Sequence, residues 1–278
     1  MECALLNRYG VLAVTGADAR AFLHAQLTKD IENLPADSAA FAGWCTAQGR
    51  LLATMLVIPS AEGFLLQLAR DIAPAVAKRL SMFILRSKVK ISDATGRWAQ
   101  YGVWGPAAGA PLAVSESDGA ITVRVGPDRA LMLIPGENSR NYKPDTSADG
   151  WALAEVRAGQ PLIVLATQDQ FVPQMVNLEL AGGVDFRKGC YPGQEIVARA
   201  QYRGAVKRRM VRLRGAALQP GQEIYSDDTP GQAGGTVVNA AGDESLAVLQ
   251  VAAIEAKSPI RAQPQAAALE VLPLPYSQ

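Results

Sequence analysis

The chain has few of the residues that build metal clusters or catalytic triads. Its 278 residues include three cysteines and one histidine, and no two cysteines form a Cys-x-x-Cys pair. Zinc sites and cysteine-ligated iron–sulfur clusters need several such ligands at close spacing, so neither is encoded within this chain alone. The odd number and wide separation of the cysteines also argue against a disulfide framework. The absence of such a framework is typical of an intracellular protein.

The sequence also lacks a strong net charge and a long apolar run. Its formal net charge is +1, so no global field draws it to nucleic acid or to a membrane. No uninterrupted apolar stretch is long enough to cross a bilayer, and the first ten residues do not resemble a secretory signal. We therefore expect a soluble, cytoplasmic protein with no membrane partner.

Apolar residues make up 49% of the chain, which is enough for a substantial core. Hydrophobic periodicity predicts strands at 11–14, 51–58, 64–68, 89–91, 101–104, 121–125, 130–134, 210–213, 236–238, 246–251 and 268–272, and helices at 19–31, 72–85, 151–158 and 194–200. The short strands after Gly204 are separated by Pro-Gly and Gly-Gly turns, a pattern typical of a small barrel or sandwich. We therefore predict an α+β body at 1–203 and a β domain at 204–278.

Residues 188–195, Lys-Gly-Cys-Tyr-Pro-Gly-Gln-Glu, form the most informative segment. Its glycines predict a tight loop, and Gln194 and Glu195 begin a short helix. Cys190 precedes that helix N-terminus, where unpaired N–H groups create a positive potential, and Lys188 adds a cation two residues away. Both effects favour a thiolate, so Cys190 is the candidate reactive thiol and Lys188 its activating cation.

The other residues with reactive side chains lie in less informative positions. Cys45, in the sequence Gly-Trp-Cys, fits packing in the core. His24 lies on the first predicted helix, and any Cys–His or Ser–His–Asp arrangement would have to use it. Nothing in the sequence links His24 to Cys190, so we interpret this histidine as structural.

A dense run of basic residues surrounds and follows the 188–195 segment. It comprises Arg187, Lys188, Arg199, Arg203, Lys207, Arg208, Arg209, Arg212 and Arg214. Only Asp185 and Glu195 oppose it nearby in the sequence. Such a run can hold the glutamyl tail of a folate, a phosphate or an RNA backbone, or it can be a solvated strand face with a few ion pairs. Tyr191 and Tyr202 can stack on a pterin or a base, or fill a seam between domains.

The 188–195 segment, followed by Arg199, resembles the signature of the YgfZ family. The same family is matched by Pro173-Gln174, Asn177, Val14-Thr-Gly-Ala-Asp18, Phe22-Leu23 and Gln26-Leu-Thr28, so the resemblance covers nearly the whole chain. YgfZ proteins are related to the glycine-cleavage T-protein, an aminomethyltransferase that uses tetrahydrofolate. The resemblance therefore implies an α+β fold: a T-protein-like folate-binding body of mixed sheet and helices around a central channel, with a C-terminal β-barrel domain.

The resemblance also implies a function. YgfZ-like proteins are folate-binding accessory proteins that support assembly or maintenance of iron–sulfur clusters in client enzymes, including tRNA-modifying ones. The implied cofactor is tetrahydrofolate or a derivative, and the implied partners are iron–sulfur client enzymes or assembly proteins. The candidate folate contacts are Gly189, Tyr191, Gly193, Gln194, Glu195, Arg199 and Arg203. Cys190 can ligate a cluster in transit, form a mixed disulfide or handle a one-carbon unit, and the sequence leaves these roles open.

The sequence departs from the T-protein where that enzyme keeps its carboxylates. The T-protein has adjacent aspartates near its first central hairpin, whereas the matching residues 46–53 here, Thr-Ala-Gln-Gly-Arg-Leu-Leu-Ala, contain no carboxylate. Its Glu-Ala-Gly, which helps to hold the pterin, is matched here by Arg157-Ala-Gly159. We therefore expect no aminomethyltransferase activity.

Two alternative functions stay open. A folate-dependent one-carbon transferase would need a carboxylate in the channel, and the nearby candidates are Asp185, Glu179 and Glu195. An RNA-binding module would use the basic Arg199–Arg214 run. The dependence of affinity on ionic strength distinguishes the two functions. The affinity for RNA falls steeply as salt is added, while the affinity for a folate held by pterin contacts falls less.

Overall fold

The structure, a computed structural model, describes residues 2–105, 109–139, 142–202 and 206–276. Its strands are β1 Cys3–Leu5, β2 Tyr9–Thr15, β3 Ala40–Cys45, β4 Leu51–Ser60, β5 Gly63–Ala69, β6 Lys90–Asp93, β7 Trp98–Trp104, β8 Val114–Ser117, β9 Ala120–Arg124, β10 Arg129–Pro135, β11 Arg208–Arg214, β12 Glu223–Ser226, β13 Ala233–Ala241, β14 Glu244–Gln250, β15 Ile260–Arg261 and β16 Ala268–Leu272. Its α-helices are α1 Ala19–Gln26, α2 Ala73–Ser81, α3 Asp149–Arg157, α4 Gln194–Tyr202 and α5 Val251–Glu255.

The strands form two open sheets and one barrel. One five-stranded sheet has the order β1-β7-β10-β9-β8, and the other has the order β3-β4-β5-β2-β6. Strands β11-β14-β13-β12-β15-β16 close into the barrel. Neighbouring strands pair antiparallel throughout the described ranges, which is the arrangement expected for strands joined by short hairpins.

The two open sheets share one hydrophobic core. Strand β4 is buried along nearly its whole length, so both of its faces are covered by other elements. Leu66 of β5 and Val57 of β4 belong to the same buried cluster as Leu131 and Leu133 of β10. The sheets therefore pack against each other through this cluster, and the space left between their elements is where an interior site can form.

A second cluster joins the body to the barrel. It includes Cys45 at the end of β3, Val197 of α4, Met210 of β11 and Val248 of β14. Helix α4 is therefore held between the β3–β4 hairpin and the barrel. This packing fixes the position of the 188–195 segment, which leads directly into α4.

The predicted α+β class with a C-terminal β-barrel is confirmed, and the sandwich alternative is wrong because the strands close. The predicted helix 72–85 is too long, since α2 ends at Ser81. The predicted helix 19–31 is also too long, because Leu27 has extended backbone angles and bridges to Trp44. The predicted boundary between residues 203 and 204 lies outside the described residues and stays a prediction. In the described part of the chain, the helices are too short or too polar to cross a membrane.

Candidate functional site: a cysteine loop beside an interior cavity

The 188–195 loop packs on the turn between β3 and β4. Gly193 has φ +81°, and a Cβ added there would lie 2.5 Å from the Thr46 carbonyl oxygen and 2.6 Å from Gly49 Cα. Gly49 has φ +72° and faces Ile196 of α4 from the other side. Both backbones need a conformation and a closeness that only glycine permits. The loop that carries Cys190 is therefore locked to the hairpin by a glycine–glycine contact.

Helix α4 is anchored by a buried side chain and by a buried amide. Val197 is fully buried, and its carbonyl accepts a 2.7 Å hydrogen bond from Gln174 Nε2. The Gln174 carbonyl in turn accepts a 2.9 Å bond from Arg209 of β11. Asn177, also fully buried, donates 2.8 Å to the Met210 carbonyl. The Pro-Gln and Asn positions of the sequence resemblance thus hold α4 and the barrel together.

Residues from the start of the chain meet the segment before the loop. Thr28 Oγ1 donates 2.6 Å to the Gly183 carbonyl, and the Thr28 carbonyl accepts 2.9 Å from the Asp185 N–H. Lys29 Nζ lies 3.1 Å from the Asp185 carboxylate. The end of α1 and the approach to the 188–195 loop therefore form one hydrogen-bonded unit.

Lys188 is directed inward, toward the end of α1. Its ammonium donates to the carbonyl oxygens of His24 and, at 2.6 Å, of Leu27, and it lies 4.9 Å from the centre of the Tyr191 ring. A cation at the C-terminal end of a helix satisfies unpaired carbonyls and complements the helix dipole. Burial lowers the pKa of Lys188 to about 8. The structure thus gives Lys188 a structural contact, and its role in activating Cys190 stays a prediction.

His24 lies next to the loop, a proximity that the sequence did not indicate, and its interpretation as a structural residue stays a prediction. Its Nε2 is 3.4 Å from the position that a Cβ on Gly189 would take. Its Nδ1 accepts 3.2 Å from the Glu32 N–H and lies 3.1 Å from Asp30 Oδ1. This contact could not be found from the sequence, because tertiary bonds from Lys188, Thr28 and Lys29 bring the two segments together.

The cysteines have contrasting environments. Cys190 is exposed, whereas Cys45 is buried in the core as predicted, and burial raises the pKa of Cys45 to about 12. Within the described ranges, no group of three or more histidine, cysteine, aspartate or glutamate side chains is arranged to hold a metal ion. Cys190 is therefore the accessible thiol of this region.

We expect Cys190 to react with iodoacetamide on the order of a hundredfold faster than Cys45, because Cys45 reacts only after the core opens. Mass spectrometry of the native protein at increasing labelling times measures both rates. Half-buried Cys3 serves as an internal reference. Equal labelling of Cys45 and Cys190 would contradict this account of the loop.

The remaining candidate folate contacts differ in accessibility. Tyr191 is 7% exposed, and Gln194 Nε2 lies 3.5 Å from the Lys188 carbonyl. Glu195 and Arg199 line an open depression on α4 together with Tyr202. Arg203 lies outside the described residues. These assignments, with Gly189 and Gly193, stay predictions.

The basic run is more neutralised than the sequence indicates. Arg209 pairs with Glu179, Arg212 lies 3.8 Å from Glu244, and Arg214 pairs with Glu270 at 2.5 Å. These partners come from more distant parts of the chain than Asp185 and Glu195, and they agree with the alternative of a strand face that carries a few ion pairs. Four other cations of this run are exposed and form no ion pair within the described residues: Arg187, Arg199, Lys207 and Arg208.

An interior cavity lies on the other side of the β3–β4 hairpin. Its volume is about 30 Å³, and its walls include Phe41 of β3, Leu56 of β4 and Leu178. Leu178 also packs where a Cβ on Gly43 or Gly183 would lie, next to the approach to the 188–195 loop. Leu178 thus contacts both the cavity and the segment that leads to the cysteine loop. At this volume the cavity holds about two water molecules, so its walls must move apart to admit a larger ligand.

A buried carboxylate, Glu155 of α3, faces this cavity. Its Oε1 accepts hydrogen bonds from the Tyr9 hydroxyl and, at 3.0 Å, from Trp151 Nε1. Its Oε2 is buried with no hydrogen-bond partner among the described residues, and Arg8 Nη1 is 3.9 Å away, within ion-pair range. Burial raises the pKa of Glu155. A buried carboxylate with one oxygen that accepts no hydrogen bond is available to a ligand that carries N–H donors.

The carboxylate that lines this cavity, Glu155, was absent from the sequence-based list of candidate channel carboxylates. Glu179 is bonded to Arg209, Asp185 to Lys29, and Glu195 lies on the surface depression of α4, so none of the three lines this cavity. Arg157, at the position of the T-protein glutamate, pairs with Glu244 at 2.8 Å instead. The helical spacing in the sequence indicated that Glu155 is buried, because it shares one face of α3 with Trp151 and Ala152.

Comparison with known proteins defines the class of fold. A family model described as the GCVT N-terminal domain matches residues 6–121. The glycine cleavage system aminomethyltransferase T from Bartonella henselae matches with a TM-score of 0.71 at 15% identity, covering 99% of this chain and 85% of that one. The chain therefore has the T-protein fold.

Within that class the chain is similar to the YgfZ proteins. The tRNA-modifying protein YgfZ of Escherichia coli O6:H1 (strain CFT073) is 29% identical over 98% of this chain and 92% of its own length. The YgfZ protein of Escherichia coli O45:K1 (strain S88) matches to the same extent. The resemblance carried by residues 188–195 is thus confirmed over nearly the whole chain.

Proposed function

We propose that this protein binds tetrahydrofolate or a derivative in the interior cavity and supports iron–sulfur client enzymes through Cys190. The observation that carries the folate part is Glu155, a buried carboxylate that lines a cavity in a T-protein fold and whose Oε2 has no hydrogen-bond partner among the described residues. The pterin ring of a folate carries an amino group and a ring N–H, and both are donors that a buried carboxylate oxygen accepts.

The chemistry of the cavity supports a flat, partly polar ring. Phe41 and Leu56 supply apolar surface, while Gln67 and Gln160 add amides to the wall. Gln67 is already held by a 2.8 Å bond to Gln100, so its position is fixed before a ligand arrives. Apolar walls with a few oriented polar groups are what small-molecule sites use for affinity and orientation. In this proposal the residues bind and orient the folate, which supplies its own one-carbon chemistry.

The client part of the proposal depends on the cysteine loop. A single exposed thiol cannot hold a cluster alone, but it can act on an iron–sulfur centre that other proteins provide. The relatives' name, tRNA-modifying protein, is consistent with a client that modifies tRNA. We place this function in the cytoplasm, where thiols are kept reduced.

The one-carbon transferase alternative gains one specific observation, because Glu155 gives the cavity the carboxylate that residues 46–53 lack. Its test is incubation of the protein with methylene- and formyl-tetrahydrofolate, followed by measurement of one-carbon loss. Turnover that Glu155→Gln abolishes would favour this alternative over the accessory role.

We expect Cys190→Ala to fold normally and to abolish support of iron–sulfur enzymes in a strain that lacks the wild-type protein, because the exposed thiol makes no core contact. The measurement is the activity of iron–sulfur enzymes in that strain after expression of each variant. Cys3→Ala, a half-buried cysteine outside the loop, is the matched control and should restore activity. Full restoration by Cys190→Ala would refute the thiol role.

A further inference from the structure

A short apolar segment follows α2 and faces solvent. Met82 is 66% exposed, Phe83 43% and Leu85 88%, while Ile84 is half-buried. Of the eight large apolar side chains that are exposed in the described ranges, three lie in these four residues. Residues 82–85 are called the 82–85 patch below. Exposed apolar residues that cluster in this way mark interaction surfaces more often than single exposed ones do.

Basic residues flank the patch on both sides. Lys78, Arg79, Arg86, Lys88 and Lys90 are all exposed, and no acidic residue occurs between positions 78 and 90. The neighbouring acid from another element is Asp18, whose carboxylate accepts 2.7 Å from the Lys88 backbone N–H. The surface thus combines apolar side chains with an excess of positive charge, and it complements a segment that has apolar and acidic residues.

Two successive contacts through Trp44 connect the patch to the cysteine loop. The Phe83 ring meets the edge of buried Trp44 at a centroid distance of 6.3 Å. Trp44 bridges to Leu27, whose carbonyl accepts the 2.6 Å bond from Lys188. The patch is therefore linked through the core to the loop that presents Cys190.

We propose that the 82–85 patch is the docking site for an acidic, apolar segment of the client protein. This inference rests on the proposed function, because it explains how a client is brought to the thiol. RNA is disfavoured, since the one aromatic ring of the patch, Phe83, packs against Trp44, and Met82 and Leu85 offer no aromatic face on which a base can stack. An anionic membrane would also suit the charge, but the proposed function requires a protein client.

The test uses a labelled synthetic peptide of alternating glutamate and leucine, titrated into the full chain and followed by fluorescence anisotropy. We expect saturable binding that weakens with salt and falls about tenfold or more in Leu85→Glu and in Arg86→Glu. Val271→Glu makes the same change at an exposed apolar side chain of the barrel and should bind as the wild type does. Cys190→Ala should also bind as the wild type, since docking does not need the thiol.

Three results would overturn the docking proposal. They are equal affinity in Leu85→Glu, equal affinity for a lysine–leucine peptide, and a patch-dependent preference for phosphatidylserine vesicles over the acidic peptide. The proposed function fails separately, if Cys190→Ala restores client activity in full. In the same strain Leu85→Glu should lose client support and Val271→Glu should keep it.

Discussion

Gly193→Ala is expected to destabilise the protein by about 3 kcal/mol or more and to displace the cysteine loop. An alanine Cβ would lie 2.5 Å from the Thr46 carbonyl and 2.7 Å from the Gly49 N, and both are backbone atoms that cannot rotate away. The positive φ of +81° adds about 1 kcal/mol of strain. Denaturant unfolding measures the loss, and iodoacetamide labelling of Cys190 reports the displacement of the loop.

Gly182→Ala is the matched control for this prediction. Gly182 has nearly the same φ, +77°, but a Cβ there would meet nothing within 4 Å. It should therefore show only the conformational cost of about 1 kcal/mol. Similar losses of stability in the two variants would mean that the glycine–glycine contact does not hold the loop.

Glu155→Leu is expected to cost about 3 to 5 kcal/mol in the free energy of unfolding. The change leaves the Tyr9 hydroxyl and the Trp151 indole N–H without their acceptor. It also removes the carboxylate that stands near Arg129, a guanidinium that is only 4% exposed. Denaturant unfolding at neutral pH measures this loss.

Glu155→Gln should behave differently, because the amide keeps the shape and one acceptor oxygen. Folding raises the pKa of Glu155, so this carboxyl contributes most stability at low pH and loses it as pH rises from the unfolded value through the folded one. The glutamine variant lacks this loss, so its stability relative to the wild type should improve as pH rises above about 4.3. Equal stability of the leucine and glutamine variants at neutral pH would show that Glu155 is not the acceptor of this network.

The sequence predicted most of the architecture for identifiable reasons. Alternating or continuous apolar runs revealed β2, β4, β5 and β10, and the Pro-Gly turns revealed the barrel. The edge strand β8, with only one half-buried residue, and β15, with only two residues, have patterns too short or too polar to recognise. Helix α1 ended early because Leu27 pairs with Trp44, a contact that depends on tertiary structure.

The site was less predictable, because long-range contacts determine it. The 188–195 motif identified the loop and the start of α4, yet it gave no sign that Lys188 would turn inward to His24 and Leu27. The partners of Arg209, Arg212 and Arg214 were hidden for the same reason. Glu155 was missed because the T-protein resemblance points to Arg157, two residues later on the same helix.

The most direct test of the central claim is calorimetric titration of tetrahydrofolate, and of its formyl and methylene forms, into wild-type protein and Glu155→Gln. We predict saturable binding by the wild type and at least about a tenfold loss of affinity in the variant, because the amide N–H₂ that replaces one carboxylate oxygen opposes the donors of the pterin. Binding that is unchanged in Glu155→Gln, or no binding of any form by the wild type, would contradict a folate site at this cavity.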